Sequence, residues 1–191
     1  MNPMLLRGKK IVGLEGDILG EMNDLHADFK TWKATAFTVI LTNEAAAELN
    51  IRKPLLRRII IGLPIELVKV VGDVITLTAP LRSLRDIAER EIEVNTDKIE
   101  GKRVESANGT IVGNVEALDV NLNSWSVTGL QVGLTDEAAT ELGFKRPILS
   151  KVVVVIPVEA VGEVENFVTL DKSIGDLKSL VECIKSCELQ K

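Results

Sequence analysis

Residues 8–20 read GKKIVGLEGDILG, and residues 101–113 read GKRVESANGTIVG. Both open on Gly-Lys (Gly8-Lys9, Gly101-Lys102) and then place glycines at one spacing, Gly16 with Gly109 and Gly20 with Gly113. Carried outward, the match keeps one offset of about 93 residues and needs no gap. Trp32 falls on Trp125, Leu41-Thr42 on Leu134-Thr135, and Glu44-Ala45-Ala46 on Glu137-Ala138-Ala139. Glu48-Leu49 falls on Glu141-Leu142, Pro54 on Pro147, Pro64 on Pro157, Glu66 on Glu159, and Thr76-Leu77 on Thr169-Leu170. Roughly a third of the aligned positions are identical, well beyond chance for an ungapped match. The chain is two copies of one small domain.

Each copy reads as short strands. Asn108-Gly109 is a dipeptide preferred by a type I′ hairpin turn, whose two central residues both need positive φ. Alternation follows it at Ile111, Gly113, Val115 and Ala117-Leu118. Further strands are predicted over 35–41 and 128–134, over 59–63 and 152–156, and over 74–77 and 167–170. The run 152–156 has almost no polar break, as in a strand buried on both faces. Many short strands punctuated by Gly and Pro predict a mainly β fold of two tandem small antiparallel barrels. A short helix interrupts each copy, at 42–49 and 135–142. Thr42 and Thr135 cap these helices, acids occupy the first turn, and Asn50 and Gly143 stand where a left-handed C-terminal cap belongs. The apolar spacing predicts a linker helix over 80–93 and a C-terminal amphipathic helix over 173–189, with Ile174, Leu177, Leu180, Val181, Ile184 and Cys187 in its stripe. The organisation expected is repeat 1 over 1–85, a linker over 86–97, repeat 2 over 98–178 and a C-terminal helical extension over 179–191.

The composition narrows the function. Of 191 residues, 46% are hydrophobic and 27% charged, an ordinary globular balance, and the net charge of -5 disfavours general attraction to nucleic acid or acidic membranes. Aromatics make up 3% and Tyr is absent, so a platform for stacking bases is not expected. One His and two Cys leave little for a metal cage or a nucleophile-base pair. Cys183 and Cys187, four apart, read as two structural thiols. None of the short phosphate-loop, zinc-protease, nucleophile-elbow or CxxC motifs occurs. The expectation is a non-enzyme without cofactor or metal. The first ten residues do not form a secretory signal, and no window holds the ~20 apolar residues of a spanning helix, which predicts a soluble cytoplasmic protein.

Four side chains are candidate interaction residues: Trp32, Trp125, Leu180 and Ile184. The tryptophans occupy equivalent places, which favours a shared structural role as a barrel plug or end cover; partly exposed, they become interface anchors. A terminal amphipathic helix bearing Leu180 and Ile184 is a natural docking or dimerisation element. Glu66 and Glu159 recur in both copies and so read as structural acids rather than a converging catalytic pair. His26 is unmatched, Asp119 standing in its place, and reads as a surface residue. The basic clusters at Lys9-Lys10, Arg52-Lys53, Arg57-Arg58, Lys102-Arg103 and Lys145-Arg146 read as solvated rims, with phosphate contacts as the alternative.

Each half resembles the PRC-barrel domain, the small β-barrel of the photosynthetic reaction centre H subunit and of the ribosome maturation factor RimM. The resemblance rests on Gly8-Lys9, Gly16, Gly20 and Pro64-Ile65-Glu66-Leu67-Val68, and on Gly101-Lys102, Gly109, Gly113 and Pro157-Val158-Glu159-Ala160-Val161. Gly72-Asp73-Val74-Ile75 continues the pattern, whereas Glu165-Asn166-Phe167-Val168 departs from it. The version with Leu-Thr-x-Glu-Ala-Ala, Glu-Leu and a following Pro is similar to archaeal cell-division PRC-barrel proteins (CdpB-like). That resemblance implies a protein-binding adaptor in FtsZ-based division, recruited to the division site and partnered by SepF or by another PRC-barrel protein. It also allows a homodimer or an internal pseudo-dimer, with no nucleic acid bound and no direct membrane insertion. The alternatives are a RimM-like ribosome or RNA-processing factor and a small-ligand binder with its site between the barrels.

Overall fold

The computed structural model describes residues 6–52, 58–88, 99–145 and 150–185. Among the described residues strand outweighs helix, 47% to 18%, which makes them mainly β. The chain divides into two compact units: Pro3–Thr96 with Leu122–Ser126, and Asp97–Asn121 with Val127–Lys191.

In the first unit the strands are β1 (Lys10–Val12), β2 (Ile18–Asp28), β3 (Lys33–Leu41), β4 (Ile60–Pro64), β5 (Val68–Val71) and β6 (Ile75–Leu77), ordered β4-β3-β2-β1-β6-β5. The second unit repeats them as β7 (Arg103–Glu105), β8 (Ile111–Asn121), β9 (Ser126–Leu134), β10 (Val153–Pro157), β11 (Val161–Val164) and β12 (Val168–Leu170), and adds β13 (Glu182–Lys185). Its order is β13-β10-β9-β8-β7-β12-β11. The whole is a mixed sheet of 13 strands that is not closed. It is not purely antiparallel either. β1 pairs with β6 in parallel through Ile11–Ile75 and Val12–Thr76, and β7 with β12 through Val104–Val168 and Glu105–Thr169. The crossover from β4 through a 3₁₀ turn (Ile65–Leu67) and the β5–β6 hairpin returns the last strand beside the first in the same direction.

Side-chain alternation builds each core. Phe37, Val39, Leu63, Ile75, Leu77 and Ile11 are buried in the first unit, and Leu49 and Leu84 seal it from the helical segments. In the second, Val104, Val112, Leu130, Val154, Ile156 and Leu170 do the same. The expectation that 152–156 is buried on both faces gives way to alternation, since Val153 and Val155 are only half-buried. The short helices α1 (Asn43–Glu48) and α3 (Asp136–Glu141) form as read: Thr42 accepts from Ala45 N–H at 3.0 Å and Thr135 from Ala138 N–H at 3.1 Å. Asn50 (φ 56) and Gly143 (φ 88) take the left-handed conformation after them.

Four local readings are revised. Gly109 has positive φ but Asn108 does not, so the turn is not type I′. Gly109 N–H donates to Ser106 O at 2.9 Å and Ser106 N–H to Thr110 O at 2.9 Å, the pattern of a longer turn with its glycine in the bulge position. The linker segment holds a 3₁₀ turn (Leu81–Leu84) and α2 (Arg85–Ala88); residues 89–93 of the expected helix lie outside the described residues. The C-terminal helix shrinks to one turn, α4 (Ile174–Leu177), and the chain then becomes β13, antiparallel to β10. The edge of β10 offers backbone hydrogen bonds along a whole strand, and this long-range pairing overrides the helical spacing of the apolar residues. Cys183, on β13, is disulfide-bonded rather than a free thiol; Cys187 lies outside the described residues.

Gly20 pairs with Ile11 on one side and Leu41 on the other, and a Cβ there would land on the carbonyl of Ile40. At Gly113 a Cβ would land on the carbonyl of Gly133. We predict that Gly20→Ala and Gly113→Ala each lose about 1–3 kcal/mol of stability in urea titrations, the cost of overpacking. Gly8→Ala and Gly101→Ala, open in space but at positive φ, should lose about 1 kcal/mol.

Candidate interaction surface

The β2–β3 hairpin turns through Phe29–Trp32. Asp28 shapes that turn: one carboxylate oxygen accepts from Lys30 N–H at 2.9 Å and the other from the Thr31 hydroxyl at 2.7 Å. The Thr31 hydroxyl first, and the Lys30 amide second, hold the Asp28 carboxyl below its ordinary 3.8. Trp32 closes the turn with φ 53, its ring edge-on to Phe29 at a centroid distance of 5.8 Å. A left-handed backbone at so bulky a residue costs about 1–2 kcal/mol and needs packing to sustain it.

Trp125 takes the same φ of 53 at the β8–β9 turn. Ala34 N–H donates to its carbonyl at 2.8 Å, and Lys33 pairs with Ser126, so this turn belongs to the first unit. Leu122 and Trp125 pack against the buried cluster around Phe37 and Leu63. Between them and β5 lies a cleft of about 410 Å³, with Val68 to Val71 as one wall and Leu122, Asn123 and Trp125 as the other. Val70 is 55% exposed there, and Lys69 supplies the cationic side chain. Among the described residues β5 is also the terminal strand of its sheet. The cleft thus combines an aromatic wall, a strand edge and one cation.

The other sequence-read residues are dispersed. Trp32 and Trp125 are both half-buried on hairpin turns of the first unit. Leu180 is 44% exposed in the turn after α4, and Ile184 is 47% exposed on β13, so no common helix carries them. Glu66 and Glu159 lie in equivalent 3₁₀ turns, and His26 lies on β2 opposite Ala36. Among the described residues no group of three or more His, Cys, Asp or Glu is placed to hold a metal ion. No helix among them is long and apolar enough to cross a membrane.

The lysine of the repeated Gly-Lys has a use the sequence does not show. Lys9 Nζ donates to the carbonyl of Gly72 at 2.7 Å, and Lys102 Nζ donates to the carbonyl of Glu165. Each ammonium ties the first strand of its repeat to the turn of the late hairpin. Two members of the basic clusters are thereby engaged within the fold. Arg103 is engaged as well, over the Phe167 ring at 5.5 Å and paired with Glu105. Arg57 and Lys53 lie outside the described residues. The strand β5 opposite Trp125 is an element that sequence reasoning missed, since no local pattern links residues so far apart. No protein-family model matches the chain, and no curated protein matches it.

Because the Asp28 carboxyl is depressed in the folded chain, its contribution is present above its ordinary 3.8 and is lost as pH falls through the lower folded value. The Lys30 amide resonance should therefore titrate with a midpoint below 3.8 between about pH 5 and about pH 2, and Asp28→Ala should flatten that curve. A midpoint at or above 3.8 would contradict the hydrogen-bonded turn.

Proposed function

We propose that the chain is a non-enzymatic protein-binding adaptor made of two PRC-barrel-like repeats. In this reading it serves archaeal FtsZ-based division, with SepF or another PRC-barrel protein as partner. The observation that carries it is the cleft beside β5, where the half-buried Trp125 faces an exposed strand edge. Tryptophan in a partly open pocket is the side chain most often found to anchor a protein interface, and a strand edge supplies backbone hydrogen bonds to any sequence. The repeat supports the PRC-barrel reading further. The Gly-Lys and the turn glycines common to both copies each serve the structure, for the lysine caps a hairpin, and Gly20 and Gly113 let strands approach. Partner choice then falls to the side chains that differ between the copies.

Calorimetric titration with SepF from the same organism, at two salt concentrations, tests this. The expected result is saturable binding, weakened by Trp125→Ala or Val70→Glu by about 2 kcal/mol, with a modest salt dependence. Absence of heat and of any complex at high micromolar protein would remove SepF as the direct partner.

A further inference from the structure

The register of the first unit lines up side chains across four strands. Val70 on β5 pairs with Thr76 on β6, Thr76 with Val12 on β1, and Val12 with Ile18 on β2. Their chain neighbours Ile11, Leu19, Ile75 and Leu77 are buried in the core, so alternation turns this row to the opposite face of the sheet. Val70 and Ile18 are exposed, Ile18 at 48%, and Thr76 and Val12 between them are half-buried. Leu14, in the turn that joins β1 to β2, is exposed at the Ile18 end. The bulge of β5 adds a cation: Val68 and Val71 pack on the core, which leaves Lys69 exposed beside Val70. One level further along the sheet, Lys10 stands across from Glu21.

The second repeat builds the same row from different side chains. Glu163 pairs with Thr169, Thr169 with Glu105, and Glu105 with Ile111. Carboxylates thus take the places of Val70 and Val12, Gly162 stands for Lys69, and Glu105 is held by Arg103 at 2.6 Å. The fold accepts charge at both places, so its stability does not demand the valines of the first repeat. An exposed apolar row that the fold could have made polar is the mark of a contact surface.

We propose that this row is the docking face for an amphipathic helix of a partner protein, its apolar stripe on Val12, Ile18 and Val70 and a carboxylate on its flank beside Lys69. β1 and β6 each have a strand on both sides, so their backbone groups are spent in the sheet and this face offers side chains alone. A helix satisfies its own backbone and binds through side chains, whereas an extended segment needs a sheet edge. Strands ~4.8 Å apart spread the row over about 14 Å. A helix advances ~5.4 Å per turn, so fewer than about three turns cover it. Charge selects the repeat: Lys69 attracts an acidic flank, and Glu105 and Glu163 repel one. The proposal rests on the adaptor reading, and the face adjoins the Trp125 cleft at Val70 without using its aromatic wall.

The test uses the full chain and a labelled helical peptide, Glu-Leu-Glu-Gln-Leu-Leu-Ala-Glu-Leu-Glu-Gln-Leu-Leu-Gln, in fluorescence anisotropy. The control carries Lys in place of each Glu. The acidic peptide should saturate the protein at one per chain, and the control should bind about fivefold more weakly. Val12→Glu gives the first repeat the residue its copy carries, and Ile18→Gln changes an exposed side chain. Each should weaken the acidic peptide about tenfold and leave the urea midpoint of the chain in place. Lys69→Glu should remove the difference between the two peptides. In the complex the methyl resonances of Val12, Ile18 and Val70 should move, and those of the buried Leu77 should hold. Absence of saturation, binding indifferent to both Val12→Glu and Ile18→Gln, or two peptides per chain would overturn the proposal. So would methyl shifts that grow with protein concentration in the free chain, which would place a second copy on the face. Contacts from these methyls to another segment of the same free monomer would overturn it as well. SepF binding that survives Val12→Glu and Ile18→Gln while the peptide fails would sink this face and leave the adaptor reading standing. Peptide binding of the expected pattern, kept in Trp125→Ala and without any SepF binding, would remove SepF and support the face.

Discussion

The architecture of each repeat depends on one close approach of backbone to backbone. β2 has neighbours on both sides at Gly20, β1 through Ile11 and β3 through Leu41, and the carbonyl of Ile40 occupies the space a Cβ would need. β8 meets the same constraint at Gly113 against Gly133. Both long strands shift register beside this point, β2 at Ile11/Val12 of its partner and β8 at Val104/Glu105. Such bulges bend a strand and add twist, so an 11-residue strand can serve the short first strand at one end and its hairpin partner along the rest. The parallel contact of β1 with β6, and with it the position of β5, depends on that bend.

This constraint explains why the repeat is so legible. Glycine at 16 and 109 is required by positive φ, and at 20 and 113 by contact, so both survive where the surrounding side chains change. The capped helices are equally local: Thr42 and Thr135 reach their N–H groups within three residues. Reading failed where the deciding partner is distant. Ile174, Leu177, Leu180 and Ile184 have helical spacing, yet only Ile174–Leu177 is helical, because the edge of β10 recruits 182–185 as a strand. The candidate cleft follows the same division. Trp125 could be singled out from its repetition, whereas the opposite wall, Val68 to Val71, is brought to it only by the folded chain.

The late hairpin shows how a repeat can diverge without losing its fold. Gly72 in the first copy becomes Glu165 in the second, a change that breaks the sequence pattern of the repeat. Lys9 and Lys102 nevertheless make the same contact, because each donates to the carbonyl, which every residue possesses. Side chains on this turn are therefore free to change. The second copy uses the freedom to bring Phe167 under Arg103, a cation over an aromatic face at 5.5 Å.

Divergence in side-chain character is concentrated at the edges instead. Inward positions keep their character, as Leu63 and Ile156 or Leu77 and Leu170 show, all buried. At the edges the copies separate: Lys151 has Glu116 at 4.0 Å, whereas Asn23 stands at the place of Glu116 in the first copy, and Val70 is exposed where the equivalent of the next copy is the charged Glu163. An uncovered edge is a hazard for aggregation, and proteins usually blunt one with charge, proline or a bulge. Among the described residues β5 ends the sheet of the first unit, and Lys69 places a charge on that strand.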